Sequence, residues 1–138
     1  MRIILYEECV ASSHPSRPPL IRRLLKFFRD HQLYTELDRY ELELVLDEAI
    51  TNAMEHGNRW DERKSIYVSL SEENDFYLIE IRDDGLGFTH RPDPLTKDPK
   101  KLETRGRGIH ILQSFCRVQW NALGNEITLF IKKEQTCR

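Results

Sequence analysis

Three short segments combine residue types and spacings that could do chemistry. In Glu48-Ala49-Ile50-Thr51-Asn52 a carboxylate and an amide lie four residues apart, so on a helix they project from neighbouring spots of one face. Such a carboxylate can act as a base beside an amide oxygen that ligates a hard cation, and Mg²⁺ takes oxygen ligands and is commonly shared with nucleotide phosphates. A solvated Glu and a polar Asn on an amphipathic helix would read the same way. In Asp83-Asp84-Gly85-Leu86-Gly87 a carboxylate ends an apolar run, where it can accept a hydrogen bond from an exocyclic amine, and the glycines let the backbone turn and approach a ligand. A plain Asp-Gly turn is the alternative. Arg105-Gly106-Arg107-Gly108 stands directly ahead of a helical stretch, where exposed backbone amides form an anion site and the guanidiniums add charge. It is not a Walker loop, since no Gly-Lys-Ser/Thr follows, and the strand, glycine-rich turn, helix and downstream acid of a dinucleotide fold are absent.

The elements that must position these segments follow from periodicity. Arg2–Tyr6 reads as a short strand, and after the Ser- and Pro-rich stretch 12–19 the residues Leu20, Leu24, Phe27 and Phe28 have helical spacing, decorated by Arg22, Arg23, Lys26 and Arg29. A long helix is predicted from about Glu36 to His56. It would open on a capping-box variant, Thr35-x-x-Asp38, bury Leu42, Leu46, Ala49, Ile50 and Ala53, and stop at Gly57-Asn58, where positive φ is expected. Ile66–Leu70 and Phe76–Ile81 form a hairpin pattern around the turn 71–75, and Val118–Asn121 with Ile127–Lys132 form a second around Gly124-Asn125. A helix is predicted at about Gly108–Phe115. Residues 89–105, rich in Pro and cations and poor in apolar side chains, read as a long mobile lid or binding loop. Strands in antiparallel-looking pairs with helices between them indicate an α+β domain with its helices on one face of a sheet.

The 138 residues fit one domain, 1–138, and 39% hydrophobic content supports a core. With 21 Lys and Arg against 23 Asp and Glu, the net charge of −2 gives no general drive towards nucleic acid or an anionic membrane. No apolar run is long enough to cross a bilayer, and the start of the chain turns acidic too early for a signal-peptide core, so a cytoplasmic protein is expected. Cys9, Cys116 and Cys137, odd in number and far apart, read as free thiols.

Taken together, in this order and spacing, the three segments resemble the Bergerat-fold (GHKL) ATP-binding superfamily. Glu48-x-x-x-Asn52 matches its N box, Asp83-x-Gly85-x-Gly87 its first glycine box and Gly106-x-Gly108 its second, and the resemblance spans roughly Leu42 to Ile131. Leu46 to Gly57 and Arg105-Gly106-Arg107-Gly108-Ile109 look most like the small anti-sigma factor serine/threonine kinases. The resemblance implies a two-layer sandwich with a mixed, mostly antiparallel sheet, and ATP with Mg²⁺ as cofactors. It also implies roles. Asn52 would hold Mg²⁺ and Asp83 the adenine amine, Gly85 and Gly87 would give close backbone approach, Gly106 and Gly108 would cradle phosphates with Arg105 and Arg107 beside them, and Glu48 would polarise a protein hydroxyl. Its partners would be a sigma factor and an anti-anti-sigma (STAS-type) protein, with a homodimer expected. Members often carry Gly-Thr near the last strand, where here Gly124 precedes Asn125. His56 reads as a helix-end hydrogen-bonder, Trp60 and Trp120 as core or edge residues, and His14, His31, His90 and His110 show no ligand spacing.

Overall fold

A computed structural model describes residues 1–85 and 107–135, with the side chains of Arg107 and Gly108 left out. The lid over 89–105, Gly87, Arg105, Gly106 and Cys137 lie outside the described residues.

The first strand, β1 (Ile3–Ala11), is longer than the apolar run that predicts it. Beyond Tyr6 the inward positions are Glu8 and Val10, half-buried, and the outward ones Glu7, Cys9 and Ala11, exposed. Two consecutive glutamates hide that alternation, and the structure shows why Glu8 can face inward: it pairs with Arg23 and accepts a 2.6 Å hydrogen bond from the Tyr6 hydroxyl. The next element, α1 (Arg17–Asp30), has its prolines in the first turn, where missing N–H groups cost nothing, and buries Leu20, Ile21, Leu24, Leu25 and Phe28. Phe27 is only half-buried, between Tyr6 and His31.

The helix carrying the first motif is α2 (Arg39–Asn52), and it starts three residues later than predicted. The cap is Asp38, whose Oδ1 accepts from the Glu41 N–H at 2.8 Å while Glu41 Oε1 accepts from the Asp38 N–H at 2.9 Å. This is a complete capping box, and Thr35 is not part of it because its hydroxyl serves the Leu37 N–H instead, at 3.1 Å. Asp38→Ala is expected to lower stability by about 1 kcal/mol, the usual value of such a cap, measured as a shift in denaturation midpoint at constant slope.

After Asn52 the helix widens into a π turn, Ala53–Gly57. The chain then leaves through Asn58 at φ −94°, and the positive φ falls one step later than expected, on Arg59 and Trp60, both at 55°. The Asn58 N–H closes on the Ala53 carbonyl at 3.0 Å and the Trp60 N–H on that of Met54 at 2.8 Å, so these two bonds hold the unusual exit.

The strands β2 (Ser65–Glu73) and β3 (Phe76–Arg82) form the predicted hairpin, with the turn tightened to Asn74-Asp75 and Asn74 at φ 54°. Then follow α3 (Arg107–Phe115), β4 (Arg117–Trp120) and β5 (Glu126–Lys132). The sheet has the order β1-β2-β3-β5-β4. It is the mostly antiparallel sheet expected, and among the described strands every neighbouring pair is antiparallel. One face of it, Ile66, Val68 and Leu70, then Ile79, Ile81, Leu129 and Ile131, packs on Leu20, Leu24, Leu46, Ile50, Met54 and Leu112 of the helices. That makes two layers with the core between them. Among the described residues no helix is long and apolar enough to cross a membrane.

Candidate functional site

β3 is the central strand of the sheet, and the residues directly after it meet Gly57 at the end of the π turn that follows α2, which places the acidic motif. Asp83, directly after β3, is 6% exposed. Its N–H donates to the Asn125 carbonyl at 2.8 Å, its own carbonyl accepts from Asn125 Nδ2 at 3.3 Å, and its Oδ1 accepts from the Gly85 N–H at 2.7 Å. Two glycines make room for that carboxylate. A Cβ on Gly57 would collide with it, and one on Gly85 would strike both it and the Gly57 carbonyl. The glycine in the first box and the glycine at the end of the helix therefore serve one purpose, a tight seat for Asp83.

Asn58 clamps the same corner and is 1% exposed. Its Oδ1 accepts from the Asp84 N–H at 2.8 Å, while Nδ2 donates to Ser12 Oγ and, at 2.9 Å, to the Ser65 carbonyl. Asp84 Oδ2 accepts from the Ser65 N–H at 3.0 Å, so the second aspartate of the motif braces the sheet rather than the pocket. The opposite rim is set by Asn121, whose Oδ1 accepts from the N–H groups of Gly124, Asn125 and Glu126 at 2.7, 3.0 and 3.2 Å, with Gly124 at φ 83°.

Between these supports lies a pocket. Its apolar lining includes Ala49, Ala53, Ile81 and Ile127, and its polar lining includes Asn52, His56 and Asp83. Asn52 and Asp83 are thus brought together on one pocket, from elements far apart in the chain. Glu48 sits one turn back from Asn52 on α2, half-buried. Its pKa is raised, first by burial and then by the neighbouring carboxylates of Asp47 and Glu55. A carboxylate made more basic in this way, beside a concave site, suits a proton acceptor whenever it is ionised.

Arg107 and Gly108 occupy the first positions of α3, one residue earlier than predicted, and Ile109 lines the pocket, so the start of this helix borders the site. Gly87, Arg105 and Gly106 are not among the described residues. Sequence reasoning did not find Trp120, which lines the pocket from β4, or the bracing roles of Asn58 and Asn121. Trp60 stacks on His14 with ring centroids 3.7 Å apart. His56 lines the pocket, with Nε2 3.7 Å from Glu55 Oε2.

The pocket lining holds an oxygen donor of the kind a hard cation accepts. Asn52 offers an amide oxygen, and no group of three or more His, Cys, Asp and Glu side chains among the described residues could hold a metal alone.

Comparison with known proteins agrees with this geometry. A family model described as the histidine kinase-like ATPase domain matches residues 12–131. The chain is 35% identical over 78 residues to an anti-sigma F factor of Bacillus subtilis, covering 54% of this chain and 53% of that protein. It is 28% identical over 103 residues to an anti-sigma F factor of Shouchella clausii, covering 70% and 69%, and 30% identical over 98 residues to one of a Geobacillus species, covering 67% of each. It thus spans about half the length of the Bacillus subtilis relative and about two thirds of the other two. With the domain matched from before α1 to the last strand, and with Asn52 and Asp83 lining one pocket between helix and sheet, the chain belongs to the histidine kinase-like ATPase domain family.

Proposed function

We propose that this chain is an ATP- and Mg²⁺-dependent serine/threonine protein kinase of the anti-sigma type, one domain over 1–138. On this reading it binds a sigma factor and phosphorylates an anti-anti-sigma (STAS-type) protein, as a cytoplasmic homodimer. The observation that carries the reading is the convergence of Asn52 and Asp83 on one pocket, with Glu48 on the same helix row and its pKa raised. The anti-sigma F factor relatives support the sigma-factor partner.

In this mechanism Asp83, fixed by the Gly85 N–H, accepts the exocyclic amine of adenine, and Ala49, Ala53, Ile81 and Ile127 cover apolar parts of the nucleotide. Asn52 would hold Mg²⁺, which supplies charge neutralisation on the triphosphate. Gly85 and Gly87 would allow close approach of the backbone, Gly106 and Gly108 would cradle the phosphates, and Arg105 and Arg107 would add positive charge. Glu48 accepts the proton of the attacking Ser or Thr hydroxyl. Phosphoryl transfer asks a protein mainly to position reactants and neutralise charge, so an open site with a single base suffices.

The test is a calorimetric titration with ATP, with and without Mg²⁺, for the wild type and Asn52→Ala, followed by phosphate transfer to a purified STAS-type protein. Tight binding that needs Mg²⁺ and Asn52, and an acid-stable phosphoester on the acceptor, are expected. An acid-labile phosphoramidate would make the chain a histidine-kinase catalytic domain acting in trans. Nucleotide binding with sigma-factor capture and no transfer would make it a nucleotide-gated sequestering module.

A further inference from the structure

The hydrogen bonds of Asn121 fix the orientation of a second amide, that of Asn125, beside Asp83. Asn121 Oδ1 accepts from three backbone N–H groups, those of Gly124, Asn125 and Glu126, so this end of the Asn121 amide is the oxygen. Its Nδ2 therefore faces Asn125 and donates to Asn125 Oδ1 at 2.7 Å. The other end of the Asn125 amide is then the nitrogen, and Nδ2 donates to the Asp83 carbonyl at 3.3 Å. The side-chain amide of Asn125 thus replaces its own backbone N–H in the pairing with Asp83, because that N–H is turned to Asn121.

The sheet register sets the two side chains next to each other. Arg82 pairs with Glu126 at the ends of β3 and β5, and the bond from the Asp83 N–H to the Asn125 carbonyl, 2.8 Å long, carries the pairing one step further. Asp83 lies two residues after Ile81 and Asn125 two before Ile127, so by the alternation of a strand both share the face of those core residues. All four line the pocket. The Asn125 nitrogen carries two hydrogens, one on the Asp83 carbonyl and one with no acceptor among the described residues. A carboxylate and an amide donor therefore stand side by side on the pocket wall.

Resting on the ATP reading above, we propose that Asn125 reads the base jointly with Asp83: Asn125 Nδ2 donates its second hydrogen to the ring nitrogen N1 of adenine, while the Asp83 carboxylate accepts from the amine on the neighbouring carbon.

Adenine presents an acceptor at N1 beside a donor amine, the complement of a donor beside an acceptor. Guanine and hypoxanthine present the reverse, an N1–H beside a carbonyl oxygen, and would set donor against donor and acceptor against acceptor. The other polar groups of the pocket suit N1 less well. A Glu126 carboxylate offers only acceptors, and N1 is itself an acceptor. Asn52 and His56 belong to the helix layer, whereas Asp83 and Asn125 continue two adjoining strands and can meet neighbouring atoms of one ring edge.

The test is calorimetric titration in Mg²⁺ with three nucleotides. They are ATP, 1-deaza-ATP, which keeps the amine but has a C–H in place of N1, and purine riboside triphosphate, which keeps N1 but lacks the amine. Wild type, Asn125→Leu and Asn125→Ala are compared, with thermal unfolding to confirm folded protein. The wild type is expected to bind 1-deaza-ATP about tenfold more weakly than ATP, the scale of one lost hydrogen bond. Both variants should bind ATP about tenfold more weakly than the wild type does, and should no longer distinguish it from 1-deaza-ATP. The loss on removing the amine should be equal in all three proteins, because that contact belongs to Asp83. Variants that lose discrimination for the amine but keep it for N1 would make Asn125 a positioning residue for Asp83 and overturn the proposal. So would discrimination against 1-deaza-ATP that survives in both variants, which would give N1 to another donor such as the Trp120 indole N–H. If the wild type binds ATP and 1-deaza-ATP equally, the proposal falls and the ATP reading stands. If the wild type binds no ATP, the ATP reading falls and this proposal with it.

Discussion

Glu48→Ala is expected to leave ATP affinity unchanged and to slow phosphate transfer about 10²-fold or more, the scale of a positioned general base. Glu48 does not line the nucleotide pocket, so its removal takes no contact from adenine or ribose. Its raised pKa, caused first by burial and then by Asp47 and Glu55, also fixes the pH behaviour. The rate of the wild type should fall as pH drops through a value above the ordinary glutamate range, because only the ionised carboxylate can accept a proton. The stability effect has the opposite sense. A carboxyl whose pKa is higher in the folded than in the unfolded state favours folding only at low pH, and that contribution is lost as pH rises through the folded value. At neutral pH the charged Glu48 opposes folding, so Glu48→Ala should hold or raise the melting temperature while losing activity. Transfer at the wild-type rate would remove Glu48 from the mechanism, and a fall in melting temperature alongside the rate would assign it to structure instead.

The parts of the site legible in the sequence are those written as local chemistry on regular elements. Glu48 and Asn52 sit four apart on a helix whose apolar stripe is plain, and Asp83 ends an apolar strand, so residue type and period assign them to these elements. The supports were not legible because they join positions distant in sequence. Asn58 bonds to Ser12, 46 residues away, and nothing local distinguishes it from an ordinary polar residue after a helix. Gly57 suits a helix stop with positive φ, whereas its reason is steric, the nearness of Asp83 just after β3. The helix start was misplaced by three residues because Thr35 and Asp38 both suit a cap, and only the reciprocal bonds with Glu41 decide between them. The far half of β1 was missed because an inward glutamate looks polar until Arg23 and Tyr6 are seen around it. Trp120 lies on a four-residue strand at the sheet edge, too short for periodicity to show which way it faces.

Asp83→Asn is expected to weaken ATP binding by about 1 to 3 kcal/mol, the cost of spoiling a charge-assisted hydrogen bond, or roughly tenfold to a hundredfold in Kd. The change is nearly isosteric, so the packing against Gly57 and the backbone bonds to Asn125 are retained. The Gly85 N–H at 2.7 Å from Oδ1 dictates how the new group turns, since only the carboxamide oxygen can accept from it. That orientation puts an NH₂ donor in place of the second carboxylate oxygen, so a donor meets the adenine amine, itself a donor. Gly57→Ala reaches the same atoms by another route. The added methyl collides with the carboxylate and displaces it without altering its charge, so a comparable loss of affinity is expected with the acid still present. Calorimetry on both variants, with thermal unfolding to confirm folded protein, separates geometry from chemistry. If Asp83→Asn binds ATP as tightly as the wild type, Asp83 does not read the base, and the tight glycine seat around it serves only to close the corner between α2 and β3.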